Sequence, residues 1–312
     1  MGAQAPGGDA LTMNANHTFA TTAAEGAPSL PASLRLGEAH LTVTDLDRSV
    51  AFYQDAIGLK LHDRDVSTAA MGTGGAEPLL VLHEDPGAKP AGRHAGLYHF
   101  ALLHRSREEL SHAARRLAVT RTPISGASDH GVSEAIYLPD PDGNGIELYA
   151  DRPRDQWPPA EPGERVAMFT VPLDLQGLLS VAAGEEDRRH ASEGLVMGHM
   201  HLHVGDVGRA LAFYRDLLGL ELMTEFRPSA AFLSAGGYHH RLGVNTWRGQ
   251  GVPPAPGDAV GLRQWTIVLP EVADVDAVRE RVEAAGVDSE ESDAGFLARD
   301  PWNNAVVLRA AG

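Results

Sequence analysis

Apolar and polar residues alternate over residues 39–43 and again over residues 200–204, the signature of a half-buried strand. After each, an aspartate (Asp45, Asp206) stands where it can cap a helix. Val50, Phe52, Tyr53 and Ile57 then form a helical stripe, repeated by Leu211, Phe213, Tyr214 and Leu218. Gly58 and Gly219 follow, where a helix ends in a left-handed residue. Strands are expected over 59–64, 69–71 and 79–83, which completes a βαβββ unit. A second unit follows, with strand 97–103, helix 107–119, strands near 123–124 and 135–138, and strand 145–150. The sequence DPDGNG (140–145) is a strong turn signal before that last strand. Later in the chain the same plan returns as strands 231–234, 240–244 and 264–269, helix 275–285 and strand 305–309.

The repetition extends to the letters. Residues 40–61 read HLTVTDLDRSVAFYQDAIGLKL and residues 201–222 read HLHVGDVGRALAFYRDLLGLEL, an offset of 201 − 40 = 161 residues. The expected fold class is α+β, with four βαβββ units in two modules. Residues 1–34 read as a disordered tail, 35–150 as an N-terminal module carrying a metal site, 151–195 as a linker, and 196–312 as a C-terminal module whose metal site is degenerate. Within the linker, 167–179 looks ordered and is expected to pack on a module.

Composition narrows the chemistry. The chain has no cysteine, which removes disulfides, zinc–thiolate sites, iron–sulfur clusters and thiol nucleophiles. Its fifteen histidines are the nitrogen ligands on offer. A net charge of −16 argues against nucleic acid and anionic membranes as partners. No secretory signal is read at the start and no apolar run is long enough for a membrane span, so a cytoplasmic location is expected.

The stretches LYHFALL, DHGVSEAIYLPDPDGNGIELYADRP, GHMHLHV and GGYHHRLGVNTW resemble the vicinal oxygen chelate superfamily of glyoxalases, bleomycin-resistance proteins and extradiol dioxygenases. The resemblance covers about residues 35–150 and 196–310, and is strongest to two-module catechol 2,3-dioxygenase-like members. It implies cup-shaped mixed sheets around a divalent metal. Matched residue by residue, it implies His40, His99 and Glu147 as metal ligands, with Gln264 and Val307 replacing the latter two in the second copy. It further implies His83 as the group on the dioxygen side, and His130 and Tyr137 as hydrogen-bonding groups for the substrate hydroxyls.

Two imidazoles and a carboxylate leave adjacent coordination positions open, which suits Fe(II) holding a catechol and dioxygen; Mn(II) has similar ligand preferences. The expected activity is therefore Fe(II)-dependent extradiol cleavage of a catechol-type aromatic by a homo-oligomer. A glyoxalase-like isomerase or lyase is the alternative enzyme, and a non-catalytic drug-binding protein the third reading. His199, His201 and His203 alternate onto one strand face and could join His239 or His240 in a second metal site; a polar pocket lining is the preferred reading there.

Overall fold

The computed structural model describes residues 28–75, 77–160 and 164–312. Four βαβββ units are present. The first comprises β1 (Arg35–Val43), α1 (Leu46–Phe52), β2 (Lys60–Arg64), β3 (Thr68–Gly72) and β4 (Leu80–Glu84). The second comprises β5 (Gly96–His104), α2 (Arg107–Val119), β6 (Gly126–Asp129), β7 (Ser133–Pro139) and β8 (Gly145–Asp151). After β9 (Val171–Pro172) and α3 (Leu175–Val181), the third has β10 (Val196–His203), α4 (Val207–Leu211), β11 (Glu221–Phe226), β12 (Ala230–Ser234) and β13 (Leu242–Asn245). The fourth has β14 (Gly261–Leu269), α5 (Val272–Ala284), β15 (Ser289–Ser292), β16 (Gly295–Arg299) and β17 (Ala305–Ala310).

The helices begin where their caps place them. Asp45 accepts from the Arg48 N–H at 2.9 Å, and Asp206 accepts from the Arg209 N–H at 2.7 Å. In both copies the first helix loosens into a π-turn, Tyr53–Ile57 and Ala212–Leu217. Each π-turn carries a buried tyrosine that donates to a buried aspartate of the later unit: Tyr53 to Asp140 at 2.9 Å and Tyr214 to Asp300 at 3.0 Å. Asp300 also accepts from the Trp302 N–H, the Asn304 N–H and the Asn304 amide, so its turn hangs on one carboxylate. Tyr214→Phe removes one donor from that buried carboxylate and should cost about 1–3 kcal/mol in urea unfolding.

The units pair across the two halves of the chain. One sheet has eight strands in the order β15-β16-β17-β14-β1-β4-β3-β2, taken from the first and fourth units. The other has nine, in the order β11-β12-β13-β10-β5-β8-β7-β6-β9, centred on the third and second units. The opening strand of each unit has one edge left to cover, and β1 closes it with β14 as β5 does with β10, both antiparallel. Neither sheet is therefore confined to one module. The main core fills the sides the helices cover, with Phe100, Leu148, Leu202 and Leu242 from the nine-stranded sheet.

Other differences from the sequence reading have local causes. Of the expected tail 1–34, residues 1–27 lie outside the described residues, whereas Leu30 and Leu34 are buried in the core and the Leu30 N–H donates to the Gly219 carbonyl at 2.8 Å. The sixth strand starts at Gly126, beyond the 123–124 position expected for it, because Pro123 has no N–H to offer a ladder. Between the halves, β9 extends the edge beyond β6 and α3 lies along α2. No helix among the described residues is long and apolar enough to cross a membrane.

Candidate metal centre

His99 on β5, Glu147 on β8 and His199 on β10 meet on the face of the nine-stranded sheet turned away from the helices. The Glu147 carboxylate oxygen lies 3.0 Å from His99 Nε2 and 3.0 Å from His199 Nε2, and the two nitrogens are 3.4 Å apart. All three residues are at most 5% exposed.

Strand parity alone does not produce this convergence; two β-bulges do. Met197 pairs with Leu102 and His199 with Ala101, so Gly198 is an extra residue. The bulge turns Met197 and Met200 into the core and leaves His199 on the opposite face. Only glycine fits there, because a Cβ on residue 198 would lie 2.0 Å from the Tyr149 hydroxyl oxygen. A second irregularity pairs His201 with His99 and Leu202 with Leu97, which makes Tyr98 the extra residue on β5. Tyr98 thereby joins His99 on the cup side, 5.0 Å from the His201 ring and 4.9 Å from the His203 ring.

Protonation suits a cation. Burial pushes the Glu147 carboxyl up, but the charge and hydrogen bonds of His199 and His99 outweigh it and hold it well below the usual carboxylate range. Burial pushes the His199 imidazole down to about 4 against the pull of Glu147. Both directions favour the forms that bind a metal, an ionised carboxylate and a neutral imidazole.

Around these three, hydrogen bonds fix the other polar rings. The Trp247 N–H donates to Asn245 Oδ1 at 3.0 Å, so the Asn245 amide must face His201 Nε2, at 2.9 Å. His201 Nε2 is then the bare acceptor, and His203 Nδ1 donates to Asn245 Oδ1 at 2.7 Å. Gly243 makes room for the His201 ring, whose atoms lie as close as 2.9 Å to a Cβ built at 243. On the other side Asp151 accepts from His239 Nε2 at 2.8 Å, which leaves His239 Nδ1 to accept from His240 Nδ1 at 2.8 Å. The His240 ring lies 4.1 Å from that of His199. Tyr137 has its hydroxyl 2.7 Å from His130 Nε2, and burial together with the negative charge of Glu147 pushes its proton affinity well up. His130 Nδ1 faces the Phe169 carbonyl at 3.0 Å.

Of the residues expected from sequence, the structure brings together His99, Glu147, His130 and Tyr137. It does not bring His40 or His83 to them. Those two lie in the eight-stranded sheet, with His40 Nδ1 3.0 Å from His83 Nε2 and the rings stacked at 5.2 Å. The correction follows from the pairing of units: β5 closes against β10 and not β1, so β10 supplies the third side chain. In the eight-stranded sheet the positions matching His199, His99 and Glu147 hold Glu38, Gln264 and Val307, and Glu38 faces Arg309 at 3.5 Å. His199 stands in the GHMHLHV run, for which the sequence favours a pocket lining; its signal is the alternation of three histidines, which does not by itself single out one.

The donor set fits a divalent metal. Three ligand atoms about 2.1 Å from one ion and at right angles to each other would lie about 3.0 Å apart, near the separations found here. A second group, Glu108, His112 and Glu185, is already occupied by Arg188, which lies 3.3 Å from Glu185 and 3.9 Å from Glu108.

Comparison with known proteins agrees with this architecture. The Glyoxalase/Bleomycin resistance protein/Dioxygenase superfamily model matches residues 35–148 and 196–308. A Bacillus subtilis (strain 168) protein named catechol-2,3-dioxygenase is 43% identical over 282 residues, 89% of this chain and 98% of that protein. Among solved structures, a B. subtilis putative dioxygenase superimposes with TM-score 0.58 at 14% identity, covering 88% of this chain and 84% of that one. Glyoxalase I from Zea mays does so with TM-score 0.53 at 20% identity, covering 88% and 92%. These two likenesses concern the fold alone. With its family model on both repeats and a relative matched over nearly its whole length, the chain belongs to the Glyoxalase/Bleomycin resistance protein/Dioxygenase superfamily and is one of its dioxygenase enzymes.

Proposed function

We propose that the enzyme is an Fe(II)-dependent extradiol dioxygenase that opens a catechol-type ring, with the metal held by His99, Glu147 and His199. Mn(II) is the alternative metal for the same ligands. The observation that carries this reading is the buried triad of two imidazole nitrogens and one carboxylate oxygen 3.0–3.4 Å apart. It is the two-histidine, one-carboxylate set that leaves adjacent positions open. The bound ion would supply Lewis acidity and redox coupling between an aromatic diol and dioxygen. Both oxygen atoms enter the product, so no external reductant is consumed.

The surrounding side chains have defined tasks. Tyr137 is hydrogen-bonded to His130, with its hydroxyl 2.7 Å from Nε2, and its ring lies 5.6 Å from that of His99. A proton taken from a substrate hydroxyl by His130 makes Nε2 a donor, and the Tyr137 oxygen then accepts that hydrogen bond. The Asp151–His239–His240 chain fixes the ring beside His199 in one tautomer. Tyr98, His201 and Trp247 form an aromatic wall for the flat substrate ring: Tyr98 is 5.3 Å from Trp247, and His201 is 5.3 Å from Trp247.

Tyr137→Phe should lower kcat about 10²–10³-fold while iron content stays stoichiometric, read by steady-state oxygen uptake and metal analysis on one preparation. A glyoxalase-type isomerase would want a fourth protein ligand; Asn245, beside the His199 strand, is instead engaged with His201 and His203. The reading is tested by anaerobic Fe(II) loading followed by a catechol panel in air. A yellow ring-opened product with one dioxygen consumed per turnover is expected, and no oxygen uptake with any diol would refute it.

A further inference from the structure

We propose that the preferred substrate carries a carboxylate on the side of the ring away from its two hydroxyls, and that Arg248 receives it. This rests on the ring-cleavage reading above and names the substrate class for the same site.

Arg248 follows Trp247 in the turn after β13, where the aromatic wall ends. The wall starts at His99, 4.8 Å from the Tyr98 ring, and continues to Trp247. Tyr98 and Trp247 are its exposed members, at 37% and 44%, while His99, His199 and His201 are buried. A ring chelated through its hydroxyls at the buried end therefore turns its far substituent toward the end where Arg248 stands.

The guanidinium is short of partners. Arg248 is half-buried, and its Nη1 donates to the His94 carbonyl at 3.2 Å. Among the described residues no carboxylate pairs with it. Other arginines of similar burial differ: Arg152 holds Asp129 and Glu134, and Arg115 holds Asp187. Arg116 and Arg281 also lack a contacting carboxylate, but their forks cap carbonyls at helix ends, Ala56 and Ile57 for one, Leu217 and Leu218 for the other. Arg248 has one carbonyl and no helix end. Burial alone acts on it, pushing its proton affinity down, with no acid opposing the shift.

A second cation shares the turn. The Arg93 Nε donates to the Arg248 carbonyl at 3.3 Å. Gly249, at φ +126°, leaves Arg93 room, since a Cβ there would lie 2.9 Å from Arg93 Nη2. In a chain of net charge −16, two arginines from separate loops that meet at one turn, with no carboxylate contacting either among the described residues, mark a place for an anion from outside. A planar fork matches a carboxylate through two parallel hydrogen bonds.

The test uses the iron-loaded full chain with 3-(3,4-dihydroxyphenyl)propanoate and its methyl ester. The parent enzyme should favour the acid in kcat/KM by tenfold or more. Arg248→Gln should shrink that preference by about 10–100-fold, mostly through KM of the acid, and Arg248→Lys should retain part of it because charge stays and the fork is lost. No preference in the parent, or one that Arg248→Gln changes less than twofold, would overturn the assignment. Should neither diol be opened, the ring-cleavage reading fails, and equilibrium binding decides on Arg248. The probe is 3-(4-hydroxyphenyl)propanoate, followed by tryptophan fluorescence. Tenfold weaker binding to Arg248→Gln at unchanged thermal melting supports the carboxylate site, and equal binding rejects it. If Arg248→Gln does not fold, the same comparison is made with Arg248→Lys, where a loss of threefold or more supports it and none rejects it.

Discussion

His199→Ala is expected to lose iron and activity together, whereas His40→Ala keeps both. His199 Nε2 lies 3.0 Å from Glu147 and 3.4 Å from His99 Nε2, and removing it leaves two ligands where three converge. Iron should be retained at least about 100-fold less tightly, since even outer partners of a metal ligand are worth 10–100-fold. Turnover should fall by roughly 10³-fold, the upper end of what one lost hydrogen-bond donor in a preorganised site costs. His40 instead contacts His83 in the other sheet, so its truncation disturbs only that pair. Metal analysis after anaerobic loading and gel filtration, run on both variants beside the parent, checks the pair of outcomes. Truncation of His199 also removes a buried imidazole whose Nδ1 has no hydrogen-bond partner among the described residues, so folding should survive it.

The second large effect is expected at Gly145. A Cβ there would stand 2.0 Å from the backbone oxygen of Tyr98 and 3.1 Å from the His99 Cβ. The closest atom is backbone, so no rotamer change relieves the overlap. Strand β8 would have to draw away from β5, where Phe100 pairs with Ile146 and Ala101 with Glu147. Gly145→Ala should therefore lower stability by about 1–3 kcal/mol or more, as overpacking does. It should also weaken iron retention, because the displaced strand carries Glu147 two residues on and the opposing strand carries His99. Gly143→Ala is the control. Nothing lies within 4 Å of a Cβ at 143, so only its left-handed φ of +89° is strained and the metal centre is spared. Urea unfolding and metal content measured on both variants separate the two effects.

The repeat made most of the fold legible. Helix caps at Asp45 and Asp206 and the paired tyrosines in AFY led to the βαβββ units with small errors at strand ends. His99 and Glu147 were legible too, because LYHFALL and GNGIELY put one polar side chain into otherwise apolar strands. The third member of the proposed triad, His199, was not. Alignment of the copies sets His40 against His201, but which units share a sheet depends on edge pairing between distant strands, and spacing carries no record of that. The bulge at Gly198 hid it further, since plain alternation puts Met197 and His199 on one face and the bulge separates them. Asn245, which orients His201 and His203, belongs to the same blind spot: its role exists only where β13 lies beside β10.

The proposed metal site lies between the halves of the chain, on His99, Glu147 and His199. Anomalous scattering at the iron edge from a crystal loaded with Fe(II) under anaerobic conditions tests it most directly. One strong peak is expected about 2.0–2.2 Å from His99 Nε2, His199 Nε2 and a Glu147 oxygen. A peak at His40 and His83, with the three side chains on β5, β8 and β10 left free, would contradict it.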